Sequence, residues 1–334
     1  LVASPYWRNG AAPAAGAVTL CNGLTGCTGA ISVTNSLAGG SANDLVGWTG
    51  VAELKNGAYV VISDQWNRGA ALLAGAVTWC PAGGCAGQIV TATNSLVGAK
   101  LNDRVGTGGV LALAGGDYVV ISPEWDNGSA ADAGAVTWCS GLTGCSGLLN
   151  SNNSLTGAMP NDRTGDEGVF QLANGNYVVS TRAADTGALA DTGAVTWCSG
   201  LTGCSGNLSA ANSLIGAGAN DEVGDVTPLS NGHFVVSSRG WDNGPLVDAG
   251  ATTWCNGVTG CTGIVGSNNS LVGTTVGEYS GVVIPLGDGD YVVATSFWDN
   301  GPSVDAGAVT WCNGTAGCTG IITTTNSFVE SEAN

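Results

Sequence analysis

The stretch GAVTWC at Gly134–Cys139 recurs at Gly193–Cys198 and Gly307–Cys312, and with further copies and near-copies such as GAVTLC and GATTWC it occurs six times. Each copy ends on a cysteine, and a second cysteine follows after four or five intervening residues, as in CSGLTGC from Cys139 to Cys145. The first cysteines stand 59, 59, 59, 57 and 57 residues apart. A period of that length belongs to propeller blades rather than to short solenoid coils. Val, Thr and Trp favour a pleated strand, so the hexapeptide marks one strand of a unit present six times.

Working outward from it, each unit reads as four short strands. A glycine-rich inner strand of the type VGTGGVLAL (Val105–Leu113) leads through a turn such as NGN (Asn174–Asn176) into a second strand, YVVIS at Tyr118–Ser122 or YVVST at Tyr177–Thr181. A loop of the WDNG kind, Trp125 to Gly134, precedes GAVTWC as the third strand. The cysteine-bounded turn then leads into a fourth strand expected to end in NSL (Asn94–Leu96, Asn153–Leu155, Asn212–Leu214). Asn-Gly, Asp-Gly and glycine-rich turns punctuate runs of Val, Ile, Thr, Tyr and Trp. No stretch sustains a 3.6-residue apolar period, so helix should be almost absent. The fold class is all-β, and four strands in each of six units predict a six-bladed β-propeller occupying 1–334 as a single domain.

Closure follows from matching the ends to the repeat. LVASPYW at the start matches Val60–Trp66, so the chain enters at the second strand of a blade, and NSFVESEAN at the end matches Asn35–Asn43. The ring is then complete except for one inner strand, the equivalent of Asp44–Tyr59. Further residues, or a strand supplied by another chain by edge addition, are expected to fill that place.

Composition narrows the function classes. Glycine is 56 of 334 residues without a Gly-X-Y period, which excludes collagen, and 44% hydrophobic content excludes disorder. A net charge of −17 with only eight Lys and Arg argues against nucleic acid and anionic membrane surfaces, which need clustered cations. No run of 18 apolar residues suggests membrane insertion.

The cysteines fall into close pairs, Cys21/Cys27, Cys80/Cys85, Cys139/Cys145, Cys198/Cys204, Cys255/Cys261 and Cys312/Cys318, and His233 is the single histidine. Zinc needs four converging ligands, which these pairs do not offer. Six local disulfides in an oxidising, extracellular compartment are the reading. Each would clamp the third strand to the outer, fourth strand and contribute on the order of 2 kcal/mol by loop-entropy arithmetic.

The consensus VGxGGVxxLxNGxYVVxSPxWDNGxxxDAGAVTW resembles FG-GAP-type blades, in which a glycine-rich strand, a valine-valine strand and a GAVYVF-like strand follow in order. It looks closest to repeat arrays of bacterial filamentous-haemagglutinin-like surface proteins. The resemblance implies a propeller at a cell surface. Integrin-like FG-GAP blades carry a calcium loop of alternating aspartates before the second strand. Here only Asp288 and Asp290 keep a paired-carboxylate look at that turn, and calcium needs about six to eight oxygen ligands. No metal and no cofactor is expected, and calcium should not be required for folding.

Two repeated features are candidate ligand sites. Asp126 and Asp132, Asp242 and Asp248, and Asp299 and Asp305 are paired six residues apart, with Asp185 and Asp191 matching them and Ala14 and Leu73 replacing the second member. They either bind a cation or sugar hydroxyls, or close Asx-turns onto local backbone. Trp7, Trp66, Trp125, Trp241 and Trp298 precede these loops, with Ala184 in the fourth unit. They either stack on pyranose faces or pack between blades. The strand tryptophans Trp79, Trp138, Trp197, Trp254 and Trp311 are expected in the core. Asp44, Asp103, Asp162 and Asp221 precede the inner strand, where they cap a turn or bind a cation at the channel mouth. Departures from the repeat are Trp48, Arg182, Arg239, His233, Tyr279 and Phe297, with His233 expected to lie exposed in its turn.

One histidine and no free thiol leave no catalytic triad, and no inserted acid-bearing loop suggests a glycosidase. The chain is therefore expected not to be an enzyme. It reads as a secreted or cell-surface binding or adhesion module whose partner is a surface glycan or protein. The alternative is a structural subunit of an extracellular filament or sheath, whose partner is copies of itself, and a propeller glycosidase is the least favoured reading.

Overall fold

The computed structural model describes residues 1–278 and 281–329. The chain divides into two compact units, Leu1–Asp166 with Leu201–Asn207, and Glu167–Gly200 with Leu208–Asn334. The first unit holds a three-stranded sheet (Val2–Ser4, Ala17–Thr19, Leu37–Ala38) and two five-stranded ones. The second holds two five-stranded sheets and a four-stranded one (Val282–Pro285, Tyr291–Thr295, Ala308–Cys312, Phe328–Val329). Among the described residues the only helical element is a 3-10 turn at Val33–Asn35. The chain is all-β, with six sheets from six repeats.

The hexapeptide forms the expected third strand. Ala135–Cys139 pairs antiparallel with Tyr118–Ser122, Ala135 opposite Ser122 and Cys139 opposite Tyr118. Tyr118, Val119, Val120, Ala135 and Val136 are all fully buried. A sheet covered on both faces needs apolar side chains on both, which is why these strands read as continuous rather than alternating apolar runs.

Each letter of the hexapeptide has a structural reason. Gly134 has φ 75°, and a Cβ there would lie 2.2 Å from the Thr164 backbone nitrogen, because the following repeat crosses at this point. Gly16 and Gly193 sit likewise against Val46 and Val223 in parallel bridges. Thr137 Oγ1 lies 2.7 Å from Ser154 Oγ on the fourth strand. The Ser154 hydroxyl donates to Asn153 Oδ1, so the threonine proton goes to the serine oxygen. The same pair recurs as Thr19–Ser36, Thr78–Ser95, Thr196–Ser213, Thr253–Ser270 and Thr310–Ser327. A buried hydroxyl left unpaired costs about 1–3 kcal/mol, so the threonine of GAVTWC and the serine of NSL require each other.

One expectation is corrected. The segment after the second cysteine does not run on as the fourth strand of its own sheet. It forms a two-residue strand, Gly147–Leu148, that adds in parallel to Ser95–Val97 of the preceding repeat. Gly206–Asn207, Gly263–Ile264 and Gly320–Ile321 add in the same way to Leu155–Thr156, Leu214–Ile215 and Ser270–Val272. A turn follows in which Asn153 Oδ1 accepts the Asn150 backbone N–H. The fourth strand therefore begins at NSL instead of ending there.

The disulfides move with this correction. The Cys139–Cys145 bond, with Cα atoms 5.3 Å apart, closes the turn between the third strand and the segment lent to the preceding sheet. Cys80–Cys85, Cys255–Cys261 and Cys312–Cys318 close the same turn, and Cys21–Cys27 is bonded likewise, although the segment after it forms no strand. Cys198 and Cys204 are disulfide-bonded too. Each lent strand covers an outer edge that would otherwise present open backbone groups.

Candidate functional site

The aspartate loops are built for their own backbone. Asp126 Oδ1 accepts the Asp132 N–H at 3.0 Å, Asp185 that of Asp191 at 2.9 Å, Asp242 that of Asp248 at 2.9 Å, and Asp299 that of Asp305 at 2.9 Å. In the second repeat Asn67 Oδ1 does the same for Leu73. The second member of each pair is chosen for its backbone: Asp132, Asp191, Asp248 and Asp305 all have φ between 50° and 53°. Asp tolerates that left-handed region better than most residues. The two carboxylates of a pair thus meet through a backbone amide and not across a shared ligand space.

The loop tryptophans are core residues. Trp66, Trp125, Trp241 and Trp298 are 4–6% exposed, and Trp7 is half-buried. Trp125 packs with Leu54, Val77, Leu96 and Val120, and Trp241 with Leu172, Val195 and Leu214. Rings enclosed to this degree present little open face, whereas Trp7 keeps part of its surface exposed. The strand tryptophans, expected in the core, are instead only half-buried in the middle repeats. Trp79 Nε1 donates to Gly141 O at 3.1 Å, Trp197 to Gly257 O at 2.8 Å and Trp254 to Gly314 O at 2.9 Å. Each indole therefore holds the cysteine loop of the next repeat.

The carboxylates ahead of the inner strand gather backbone donors. Asp103 Oδ2 accepts from Ala99 and Lys100 at 2.6 and 2.7 Å, and its Oδ1 from Asp126 at 3.2 Å. Asp221 repeats this with Ala217, Gly218 and Asp242. Asp162 receives Ala158 and Met159, and Asp44 receives Ser41 and Asn67. Burial pushes the carboxyls of Asp44, Asp103 and Asp221 above the usual aspartate range, and the backbone donors partly offset it. Burial likewise pushes the Tyr291 hydroxyl, on the second strand, up to about 12.

His233 is not simply exposed. Its Nδ1 accepts the Gly257 N–H at 2.9 Å, the place taken by Asp117 toward Gly141 and by Asp290 toward Gly314. Sequence reasoning missed this because the donor lies one hairpin away, although the shared alignment column of Asp117, Asn176, His233 and Asp290 carries the signal. Arg182 and Arg239 both approach Asp225. Trp48 makes an edge-on contact with Tyr6, ring centres 5.7 Å apart, and Phe297 is exposed. Tyr279 lies outside the described residues. A polar depression of about 600 Å³ is lined by Arg104, Glu124, Asp126, Asp132 and Arg163. Most of its charges are engaged: Arg104 with Glu124 at 3.4 Å, Arg163 with Asp166 at 2.8 Å and Asp126 with Lys100 at 3.8 Å. Among the described residues no three His, Cys, Asp or Glu side chains gather as metal ligands, and no helix is long and apolar enough to cross a membrane.

These features define a class: an all-β repeat protein whose repeats are each stapled by a disulfide that fits an oxidising compartment. The chain belongs to the family described as "Repeat of unknown function (DUF5650)", which matches at residues 1–48, 53–107, 112–166, 171–225, 228–282 and 285–334. The FG-GAP resemblance rests on the sequence pattern alone. No curated protein matches the chain. Among solved structures, one of streptogramin B lyase is similar at 9% identity over 82% of this chain and 69% of that one, with a TM-score of 0.32. A protein of unknown function from Bacteroides caccae is similar at 12% identity over 84% and 80%, with a TM-score of 0.30.

Proposed function

We propose that this chain is a non-catalytic scaffold module that works outside the cell, built from six blades of the β-propeller type. One observation carries the reading: the first aspartate of each loop, the carboxylate ahead of the inner strand and four of the five loop tryptophans, which recur from blade to blade, are engaged by the frame itself. The Asp126-type carboxylates hold their own loops, the Asp103-type carboxylates hold turns, and the loop tryptophans fill the core. The only histidine uses Nδ1 on a backbone amide. The paired cysteines support an extracellular setting. A six-bladed propeller is the architecture that the repeat count favours.

Adhesion to a surface glycan is the weaker reading, because the aromatic rings it needs are enclosed. A glycan array probed with the oxidised protein tests both. The scaffold reading expects no saturable binding above background. Saturable binding of one sugar class that is lost in Trp125→Ala, with the variant's fold retained by circular dichroism, overturns it in favour of a lectin.

A further inference from the structure

The geometry points to a proton-sensitive latch in the fifth repeat, where protonation of His233 frees the Gly257 N–H of the cysteine loop from the turn that holds it. This latch adds a response to acid that the scaffold reading does not require.

Four cysteine loops are held in one way. The turn between the inner and second strands offers an acceptor to the N–H of the glycine two places past the first cysteine. Asp117 Oδ1 takes the Gly141 N–H at 2.9 Å, and Asn176 Oδ1 that of Gly200 at 3.1 Å. His233 Nδ1 takes that of Gly257 at 2.9 Å, and Asp290 Oδ1 that of Gly314 at 2.7 Å. Loop and turn meet closely, since a Cβ on Gly257 would overlap the Gly232 carbonyl oxygen. The second repeat has Ala58 in the acceptor's column and still pairs the same two strands, Glu53 opposite Tyr59. The latch is therefore an addition to the hairpin and not a condition for forming it.

Three of the four acceptors work in either protonation state. A carboxyl keeps an acceptor oxygen whether or not it is ionised, and an amide keeps its carbonyl. Imidazole does not. When neutral, one of its nitrogens accepts, and in the imidazolium both donate. The Gly257 N–H can only donate, so Nδ1 is the bare nitrogen and Nε2 carries the proton. A second proton must go to Nδ1, where it meets the Gly257 N–H donor to donor. Histidine is the side chain whose charge ordinarily changes between about pH 5 and 8, so the fifth repeat holds the one latch of the four that acid can undo.

The surroundings decide which partner moves. Gly257 O accepts from Asn174 Nδ2 at 2.7 Å, Trp197 Nε1 at 2.8 Å and Asn176 Nδ2 at 2.9 Å, so the carbonyl side of the loop is pinned. His233 is half-buried and lies 4.9 Å from the Trp254 ring centre. The imidazolium is thus the partner that turns away, toward solvent, and the Gly257 N–H is left to water. No charged side chain stands on the preceding hairpin (173–176), on its own turn (229–232) or on the loop 255–261. The following hairpin brings Asp288 and Asp290, of which Asp290 is committed to Gly314. Asp225 of the inner strand lies at the far end, opposite Ser237. No Lys or Arg stands on these segments, so the unfavourable neighbour of the new proton is the Gly257 N–H itself. The sixth cysteine loop keeps its hold, because Gly314 O has Asn231 Nδ2 at 2.9 Å besides Trp254 Nε1.

Amide hydrogen exchange of the oxidised full chain, read by NMR and divided by the intrinsic rate at each pH, tests the latch. Between about pH 7.5 and about pH 5 the protection of Gly257 should fall about fivefold relative to Gly141, Gly200 and Gly314, the scale of one lost hydrogen bond. His233→Asn copies the Asn176 latch and should hold Gly257 protected across the same range. His233→Ala should leave it poorly protected at every pH, with the fold checked by circular dichroism. Imidazole nitrogen shifts should show the neutral ring protonated on Nε2. Gly257 protection that follows the other three glycines through the acid range overturns the latch. So does a selective fall that persists in His233→Asn, or a neutral ring that carries its proton on Nδ1.

Discussion

Ala14 and Leu73 hold φ values of 49° and 52°, the left-handed conformation that Asp132, Asp191, Asp248 and Asp305 adopt in the other repeats. A Cβ-bearing, non-Asx residue is strained there by about 1–2 kcal/mol. Ala14→Gly should therefore raise stability by about 1 kcal/mol after the extra entropy of the unfolded glycine is offset. A chemical-denaturation midpoint that falls in this variant contradicts the strain. The buried carboxyls give a pH signature. Burial raises the pKa of Asp103 in the folded chain above 3.8, so the native state holds the proton more tightly than the unfolded one. Its contribution is then fully present below 3.8 and is lost as pH rises through the native value. The stability difference between wild type and Asp103→Asn should shift toward the wild type as pH falls from neutral toward 4, and a flat difference contradicts the assignment. At this scale the residue types were legible but their partners were not. Asp126 and Asp132 read more readily as a turn than as ligands, but the amide that joins them is invisible in a pattern of side chains. His233 was misread for the same reason, since its donor sits 24 positions away.

The element that resisted reading is the lent strand. Gly147–Leu148 is two residues long, too short to show a period of 2 or 3.6. Its pairing with Ser95–Val97 joins residues about one repeat apart that look alike in every copy. The third strand, by contrast, was legible from GAVTWC alone, and its Gly and Thr are explained by contacts repeated around the chain. The cysteine pairs were legible as local bonds, but their mechanical role was not. Because Cys139–Cys145 anchors the lent segment, replacing both cysteines by serine should cost on the order of 2 kcal/mol. The loss should also be local. The Leu149 N–H, bonded to Val97 O at 3.1 Å, should exchange with solvent faster than amides of the Tyr118–Ser122 strand. Equal acceleration of both would mean that the disulfide supports the whole sheet and not the lent strand.

Across the molecule, the repeat count and all-β class could be read directly, while the difference between an inner and a terminal repeat could not. Leu271 and Phe328 occupy the same column of the repeat. What separates them is a neighbour: Leu271 is enclosed by Tyr291, Val293 and Ile322, whereas Phe328 faces open space. In a repeat architecture each unit draws stability from its own sheet and from the sheets beside it, so one substitution at one column should have two costs. Leu271→Ala removes buried methyl groups from a packed junction and should destabilise by about 2–5 kcal/mol. Phe328→Ala, in dilute protein, should change stability by less than about 0.5 kcal/mol, as surface substitutions do. The pair is measured by urea unfolding at low protein concentration, where association contributes nothing. A large cost for Phe328→Ala under those conditions would mean that its ring is packed in the folded chain and not exposed.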